Sequence, residues 1–422
     1  MPRAAATAKR TPPAHPLEYN LLMTATLCLL AAGAVMVFSA SSARTLLEGQ
    51  GDGTSYLVKY VGFGALGFLG LHLIVRTPLQ RILAWTGPFL AFAFVCLLLV
   101  KTPLGVSVNG AQRWLGAGPL TFQPSEITKL ALLLYSVKLL ARRPRVPQHP
   151  RELMPLGLVV GAAVALIASQ PDLGTALVIS FTTAALLIAA GIPVRWLLIG
   201  AAVGAVLVFL YAMTAEYRRA RLTSFLDPWD TAGTTGFQSV QGQIALGSGG
   251  LFGLGLGQSV QKIFYLPEAH TDFILAIIGE ELGVAGITVV LFLYGLIGYA
   301  GLRVAKMAKG QYAKLLAAGI TAMVLSQATL NVFTVLGLAP LTGVPLPFLS
   351  YGTTSLWTLL ASMGLLLNIA AGGTAHIRVV REPSGRTRHQ TRTDGRDEGR
   401  DRRRRDSGAR GAGAGGRRRT AG

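Results

Sequence analysis

Long apolar runs separated by short polar segments dominate the pattern of the chain. A transmembrane helix needs about 20 consecutive, mostly apolar residues. By that rule the sequence predicts about ten spans, at residues 17–39, 56–75, 82–100, 124–140, 153–169, 173–190, 194–213, 271–301, 312–336 and 348–371. The sixth run is short and contains glycine and threonine, so the fifth and sixth runs could instead form a broken, re-entrant pair. We expect an all-α polytopic membrane protein.

The basic residues between the runs predict the orientation of the helices. If the N-terminus is cytoplasmic, the basic residues of alternate loops and of the C-terminal segment fall on the same side, as the positive-inside rule requires. Both termini are then cytoplasmic, and the long segment 214–270, between the seventh and eighth spans, is extracytoplasmic. The chain divides into a cytoplasmic segment 1–16, a membrane domain 17–377 and an Arg-rich tail 378–422. The tail is too polar to bury a core, so we expect disorder and contact with anionic lipid.

Composition supports a membrane protein and excludes an ordinary soluble domain. Of the 422 residues, 51% are hydrophobic and only 14% are charged. The formal charge of +20 reflects loops and tail, so it indicates topology and no nucleic-acid partner. Cys28 and Cys96 lie in apolar runs, where we expect free thiols. The sequence shows no metal-ligand cluster, P-loop or dinucleotide fingerprint, which disfavours a nucleotide-driven machine.

A lysine lies inside the fourth predicted span. An unpaired ammonium is costly there, and Asp172, at the start of the sixth span, is the expected partner of Lys129. Glu126, one turn away, is the alternative partner. Such a pair could serve only to join two helices, or it could hold the charged headgroup of a ligand.

Several polar residues are expected on the extracytoplasmic side. Arg113 beside Trp114 is typical of an aromatic belt, and phosphate binding is the alternative. In the long loop, a basic and aromatic stretch around Arg221 is suited to the membrane surface. A piece with Gln238 and Gln241 follows, and then repeated glycines, whose backbone amides could bind a diphosphate or which could form a flexible linker. Lys262 comes just after the glycines.

Asp272 lies where this polar loop enters an apolar run. A carboxylate there could simply favour a helix N-terminus capped by Thr271. It could equally face a polar headgroup whose lipid tail stays in the bilayer. Glu280 and Glu281 lie two turns deeper, so we expect at least one of them to face the interior in a structural hydrogen-bonding role.

Eight short motifs together resemble the SEDS family of bacterial membrane proteins (shape, elongation, division and sporulation), and its cell-division members most. They occur in order over nearly the whole membrane part, at residues 38–42, 109–115, 123–129, 170–175, 247–257, 266–273, 279–283 and 345–352. The resemblance implies polymerisation of lipid II into peptidoglycan at the outer face of the cytoplasmic membrane, at the division septum. It maps the family's essential loop aspartate onto Asp272, and its intramembrane ion pair onto Lys129 and Asp172.

The implied chemistry assigns a role to each candidate residue. A general base must accept the proton of the acceptor hydroxyl, and cations must stabilise the departing diphosphate. We expect Asp272 to be the base and the diphosphate or sugars to be bound by Arg113, Arg221, Lys262, Gln238, Gln241 and His270. No cofactor is required, although a divalent cation, Mg or Mn, could be held through the diphosphate. The expected protein partners are a class B penicillin-binding protein and other divisome membrane proteins.

Two functions from other classes remain open. A lipid II flippase would move the precursor without transforming it, and the charged residues inside the membrane could suit it. A scaffold would only recruit a transpeptidase. The concentration of polar residues on the outer side favours the enzyme.

Overall fold

The computed structural model describes residues 16–47, 49, 53–108, 110–117, 120–143, 149–214, 216–263 and 265–375. The predicted N-terminal segment and C-terminal tail lie outside these ranges, apart from Pro16. Twelve α-helices and three short β-strands are present in the described residues. The helices are α1 (Leu17–Leu47), α2 (Ser55–Arg76), α3 (Leu79–Leu99), α4 (Pro124–Ala141), α5 (Pro150–Ala168), α6 (Leu173–Ala189), α7 (Val194–Met213), α8 (Glu216–Leu226), α9 (Phe237–Ser248), α10 (Ile274–Met307), α11 (Gln311–Val335) and α12 (Thr353–Ala370).

The expectation of a helical, multi-pass membrane protein is confirmed. Eight helices of the described chain are long and apolar enough to cross a membrane, namely α1, α2, α3, α5, α7, α10, α11 and α12. The other two predicted spans are α4, which carries Glu126 and Lys129, and α6, which has only 17 residues. The count of ten spans stays a prediction.

The helices differ in how far the protein itself buries them. Most of α11 and α12 is buried, whereas the apolar stretch of α7 has no buried residue. A helix that is apolar all round is stable only inside a bundle or against lipid. The helices α11 and α12 therefore belong to the interior, and α7 presents its surface to the bilayer.

The segment between α3 and α4 forms a small antiparallel sheet that the sequence did not predict. Its strands are β1 (Gly105–Val108), β2 (Ala111–Ala117) and β3 (Leu120–Phe122), in the order β1-β2-β3. In β1 and β2, Gly105 faces Leu115 and Val106 faces Trp114. The sheet fixes the position of Arg113, which lies in the central strand.

The glycine-rich part of the long loop packs against a break in α10. Gly283 interrupts that helix with a φ of 66°, which only glycine adopts without strain. Four backbone hydrogen bonds join the loop to the broken helix: Leu254 N to Glu280 O at 2.9 Å, Gly255 N to Glu281 O at 3.0 Å, Val284 N to Gly250 O at 3.0 Å and Ala285 N to Leu251 O at 3.1 Å. These bonds replace those that the break removes from the helix.

The structure contradicts the flexible linker expected from the sequence and narrows the alternative, diphosphate binding by the backbone amides. The segment is not a flexible linker, because its backbone is held by α10. Three of its amides are not free for a diphosphate, since those of Leu254 and Gly255 donate to α10 and that of Gly253 donates to Gly249 O at 2.7 Å. The glycines permit contact of backbone with backbone: a Cβ on Gly253 would lie 2.1 Å from Glu281 O.

Candidate active site

Asp272 lies in the turn that precedes α10. The helix begins at Ile274 with Phe273 at its N-cap and no side-chain cap bond, so the predicted capping role of Thr271 was wrong. Thr271 Oγ1 instead donates to Asp272 Oδ1 at 3.1 Å and also contacts Glu268. The side chain of Asp272 is half-buried. The carboxylate is therefore partly accessible.

Asn331 of α11 holds the backbone of this turn. Its Nδ2 donates to Asp272 O at 2.7 Å and to Val344 O at 2.8 Å. Because both partners are carbonyl oxygens, they fix the orientation of the amide. Asn331 thereby joins the turn that carries Asp272 to the loop between α11 and α12.

That loop approaches the carboxylate at a glycine. A Cβ on Gly343, which has a φ of 67°, would lie 4.0 Å from Asp272 Oδ2. A Cβ on Gly174 of α6 would meet Thr342 O at 2.5 Å, so the same loop also packs on the start of α6. Since Gly343 carries no side chain, the loop leaves space beside the carboxylate, whereas at Gly174 the loop itself fills the space.

Aromatic rings line the other side of the turn. The His270 ring lies 4.7 Å from the ring of Tyr56 and 5.8 Å from that of Tyr351, measured between centroids. Tyr351 N also donates to His270 O at 3.0 Å. Burial raises the pKa of the Tyr351 phenol. The rings offer a flat face of the kind that packs against sugars, which suits the substrate contact predicted for His270.

The predicted ion pair between Lys129 and Asp172 is not formed in the structure. The Nζ of Lys129 lies 2.9 Å from Glu126 Oε2 and donates to Gln327 Oε1 at 2.7 Å. Asp172 instead accepts from Gln123 Nε2 at 2.9 Å, from Ser125 Oγ at 2.8 Å and from Thr175 N at 3.2 Å. Asp172 is thus the N-cap of α6, where a carboxylate satisfies free amides, and the buried lysine uses the partner one turn away.

Arg113 holds a turn of the backbone. Its Nε donates to Gln170 O at 3.1 Å, and one terminal nitrogen donates to Pro171 O. Asp172, which caps α6, directly follows this turn. The guanidinium is therefore partly committed to positioning the turn, which limits the diphosphate binding predicted for it.

Lys262 is not placed to bind a diphosphate, which corrects the prediction. It is buried, and its Nζ donates to Glu281 Oε1 at 2.7 Å and to Ser39 Oγ of α1 at 3.1 Å. Glu280 accepts from Ser259 Oγ and from Val260 N, the latter at 2.9 Å. Both glutamates are buried. Their carboxylates hold the long loop against α1 and α10.

The remaining candidates lie on α8 and α9. Gln238 Nε2 donates to Pro267 O at 3.3 Å, so this side chain supports the turn that leads to Asp272. Gln241 is half-buried on α9. The prediction for Arg221 concerns a side chain outside those that the structure describes.

Sequence reasoning missed the amides that organise the site. Asn331 and Gln327 lie four residues apart on α11 and are both buried. Gln327 joins Lys129 to the loop before α12, since its Nε2 donates to Pro345 O at 2.9 Å. Two uncharged amides one helical turn apart in an apolar run were the available signal, because such groups need partners inside a bundle.

Comparison with known proteins places the chain in a family. The family model for FtsW, RodA and SpoVE, described as cell cycle protein, matches residues 19–374. The chain belongs to this family. The resemblance inferred from the motifs is thereby confirmed.

Individual relatives cover most of the chain. A probable peptidoglycan glycosyltransferase FtsW from Thioalkalivibrio sulfidiphilus is 42% identical over 366 residues, covering 84% of this chain and 90% of the relative. Stage V sporulation protein E from Bacillus subtilis is 37% identical over 352 residues, covering 83% and 96%.

Solved structures of the family have the same fold. A chain from a structure on the coordination of polymerization and crosslinking by a peptidoglycan synthase complex gives a TM-score of 0.70 at 29% identity, covering 85% of this chain and 98% of that one. The rod shape determining protein RodA from Thermus thermophilus gives 0.62 at 29% identity, covering 85% and 97%.

Proposed function

We propose that the chain is a peptidoglycan glycosyltransferase that polymerises lipid II into glycan strands at the outer face of the cytoplasmic membrane during septal wall synthesis. The names of its relatives support this activity. The observation that carries the proposal for the site is the placement of Asp272: half-buried, beside a glycine, with its backbone held by Asn331.

The reaction needs one proton transfer and one leaving group. The 4-hydroxyl of the acceptor sugar attacks the anomeric carbon of the donor, a new glycosidic bond forms, and the bond to undecaprenyl diphosphate breaks. Asp272 accepts the hydroxyl proton as general base. The diphosphate departs with the bonding electron pair. Because cleavage of the bond between sugar and diphosphate releases the free energy for the transfer, no nucleotide is needed.

The charge of the departing diphosphate requires cations. Arg113 is the remaining candidate with a described side chain, through the guanidinium N–H groups that the turn at Gln170 does not use. A divalent cation, Mg or Mn, would be held mainly through the diphosphate oxygens and would neutralise their charge. Among the described residues there is no group of three or more His, Cys, Asp and Glu side chains that could hold a metal ion by itself.

The proposed setting is a division complex. We propose a class B penicillin-binding protein as the transpeptidase partner, together with other divisome membrane proteins. The solved relative from a peptidoglycan synthase complex supports a partner of this kind. Both termini are proposed to be cytoplasmic.

Purified protein and labelled lipid II test the activity. We expect the wild type to form polymer and Asp272→Asn to lose about 100-fold or more in rate, the scale of general-base catalysis. The matched control is Asp230→Asn, which changes an exposed aspartate of the same loop. Each protein is assayed alone and with a class B penicillin-binding protein, in the presence of Mg or Mn.

The other possible results of this assay each contradict a different part of the proposal. Full activity of Asp272→Asn would refute its role as base while leaving the enzyme intact. No polymer from the wild type, with lipid II moving across vesicles, would favour a flippase. Transpeptidase binding alone would favour a scaffold.

A further inference from the structure

In the segment 249–265 of the long loop, the residues that the structure describes (all but residue 264) have an inverted distribution of polar and apolar side chains. Of its polar residues, Ser259 and Lys262 are buried, Gln261 is half-buried and only Gln258 is exposed, whereas most large apolar side chains are exposed. Phe252 is 83% exposed, and Leu251, Leu254, Leu256, Val260 and Tyr265 are exposed as well. Lys262 is the only charged residue of the segment. Such a surface is unfavourable in water and calls for an apolar environment.

Contacts between α1 and α10 show where this segment lies relative to the bilayer. At one end Arg303 Nε is 3.2 Å from Glu18 Oε1, next to the basic residues that follow α10. At the other end Ser39 Oγ donates to Glu281 at 2.7 Å. Glu18 and Ser39 are separated by about 31 Å of helix, which matches the roughly 30 Å hydrocarbon core of a bilayer. Glu281 and its partner Lys262 therefore lie level with the outer boundary of that core.

Part of the segment lies deeper in the bilayer than Glu281 and Lys262. Gly250 O and Leu251 O accept from Val284 N and Ala285 N, which lie beyond Glu281 on the way to Arg303. Non-helical backbone is tolerated at this depth only when its polar groups have partners, and α10 supplies them. Val284 and Val289 are exposed on the adjoining part of α10, so the outward apolar surface continues onto a membrane-spanning helix.

We propose that the segment 249–265 inserts into the outer leaflet and that lipid acyl chains cover Phe252 and its exposed neighbours. The depth, the lack of exposed charge and the continuity with the lipid-facing surface of α10 all favour lipid over water or protein. The segment acts as a membrane anchor within the extracytoplasmic loop. Glu281 and Lys262 join this anchor to α10, whose first turn follows Asp272. This role is independent of the proposed reaction.

Spin labels measure the depth directly. The two free cysteines, Cys28 and Cys96, are replaced by alanine, and single cysteines are introduced as Phe252→Cys and Val260→Cys. The full chain is reconstituted in vesicles of phosphatidylethanolamine and phosphatidylglycerol. Collision rates of each label with oxygen, which is enriched in the bilayer, and with a water-soluble nickel complex are then compared.

Two further positions serve as references. Val289→Cys on α10 reports the bilayer, and Thr234→Cys, exposed in a polar turn of the same loop, reports water. Because the segment lies near the boundary of the core and Val289 lies deeper, we expect the oxygen-to-nickel ratio at Phe252 and Val260 to be several-fold higher than at Thr234 and lower than at Val289. A ratio equal to that at Thr234 would overturn the proposal, because the surface would then be in water. Low collision rates with both reagents would also overturn it, since protein would then cover the segment.

Discussion

Replacement of Lys262 by methionine tests how the long loop is held. The Lys262 Nζ lies 2.7 Å from Glu281 Oε1, and the two side chains are only 4% and 0% exposed. Methionine fills a similar volume but leaves the Glu281 carboxylate with Ser39 and no cation. Removing one partner of a buried ion pair costs about 3–5 kcal/mol, because the remaining charge is uncompensated. We expect Lys262→Met to lose stability on that scale.

The double variant Lys262→Met, Glu281→Leu separates the missing charge from lost packing. Replacing both partners by apolar residues of similar size is often neutral, so most of the loss should be recovered. Stability is measured as the temperature at which half of the detergent-solubilised protein leaves the monodisperse peak in size-exclusion chromatography. Lys314→Met, an exposed lysine on α11, is the matched control and should have no effect.

Two results would refute this reasoning. If Lys262→Met were as stable as the control, the pair would contribute nothing and the loop would be held by its backbone alone. If the double variant were no better than the single one, the cost would come from packing and the uncompensated charge would be irrelevant.

Three further predictions concern other parts of the fold. Gly283→Ala should reduce the yield of folded protein after detergent extraction, because residue 283 has a positive φ and its Cβ would lie 2.4 Å from Gly253 N. Gly62→Ala, the control, has open space around its Cβ and should keep the wild-type yield. Lys129→Ala should lower folded yield, and exchange of the Lys129 and Glu126 charges should restore it in part; failure of any rescue would show that they are not energetic partners. Asn331→Leu should lower kcat and leave KM nearly unchanged in polymerisation assays, because it releases the backbone of the turn that carries Asp272, the proposed general base. An unchanged kcat would argue against that positioning.

The membrane helices could be predicted well because their signal is local. A run of apolar residues can be counted along the chain, and α7 has the predicted bounds, 194–213. Asp272 could likewise be selected as a candidate from the sequence, because a carboxylate at the edge of an apolar run needs an explanation. The small sheet of β1 to β3 was missed, since its strands are short and one of them has only three residues.

The pairing of charged side chains inside the bundle could not be predicted from their spacing along the sequence. Asp172 was a reasonable partner for Lys129 by depth, but it became the cap of α6, and Lys129 paired within its own helix. Lys262 looked available for a ligand because it follows a glycine-rich loop. It is buried instead, because the break at Gly283 lets that loop pack against α10.

The class of the protein, the position of its apolar spans and the family of its motifs could all be assigned before the fold was known. These properties follow from the length of apolar runs and from short contiguous motifs, both of which can be identified along the chain without knowledge of the fold. The folded arrangement was needed to show which charged side chains pair, that the glycine-rich segment packs on the broken helix, and that Asn331 holds the turn of Asp272. Those contacts join residues far apart in the chain, and burial makes each polar group take whichever partner lies nearest in space.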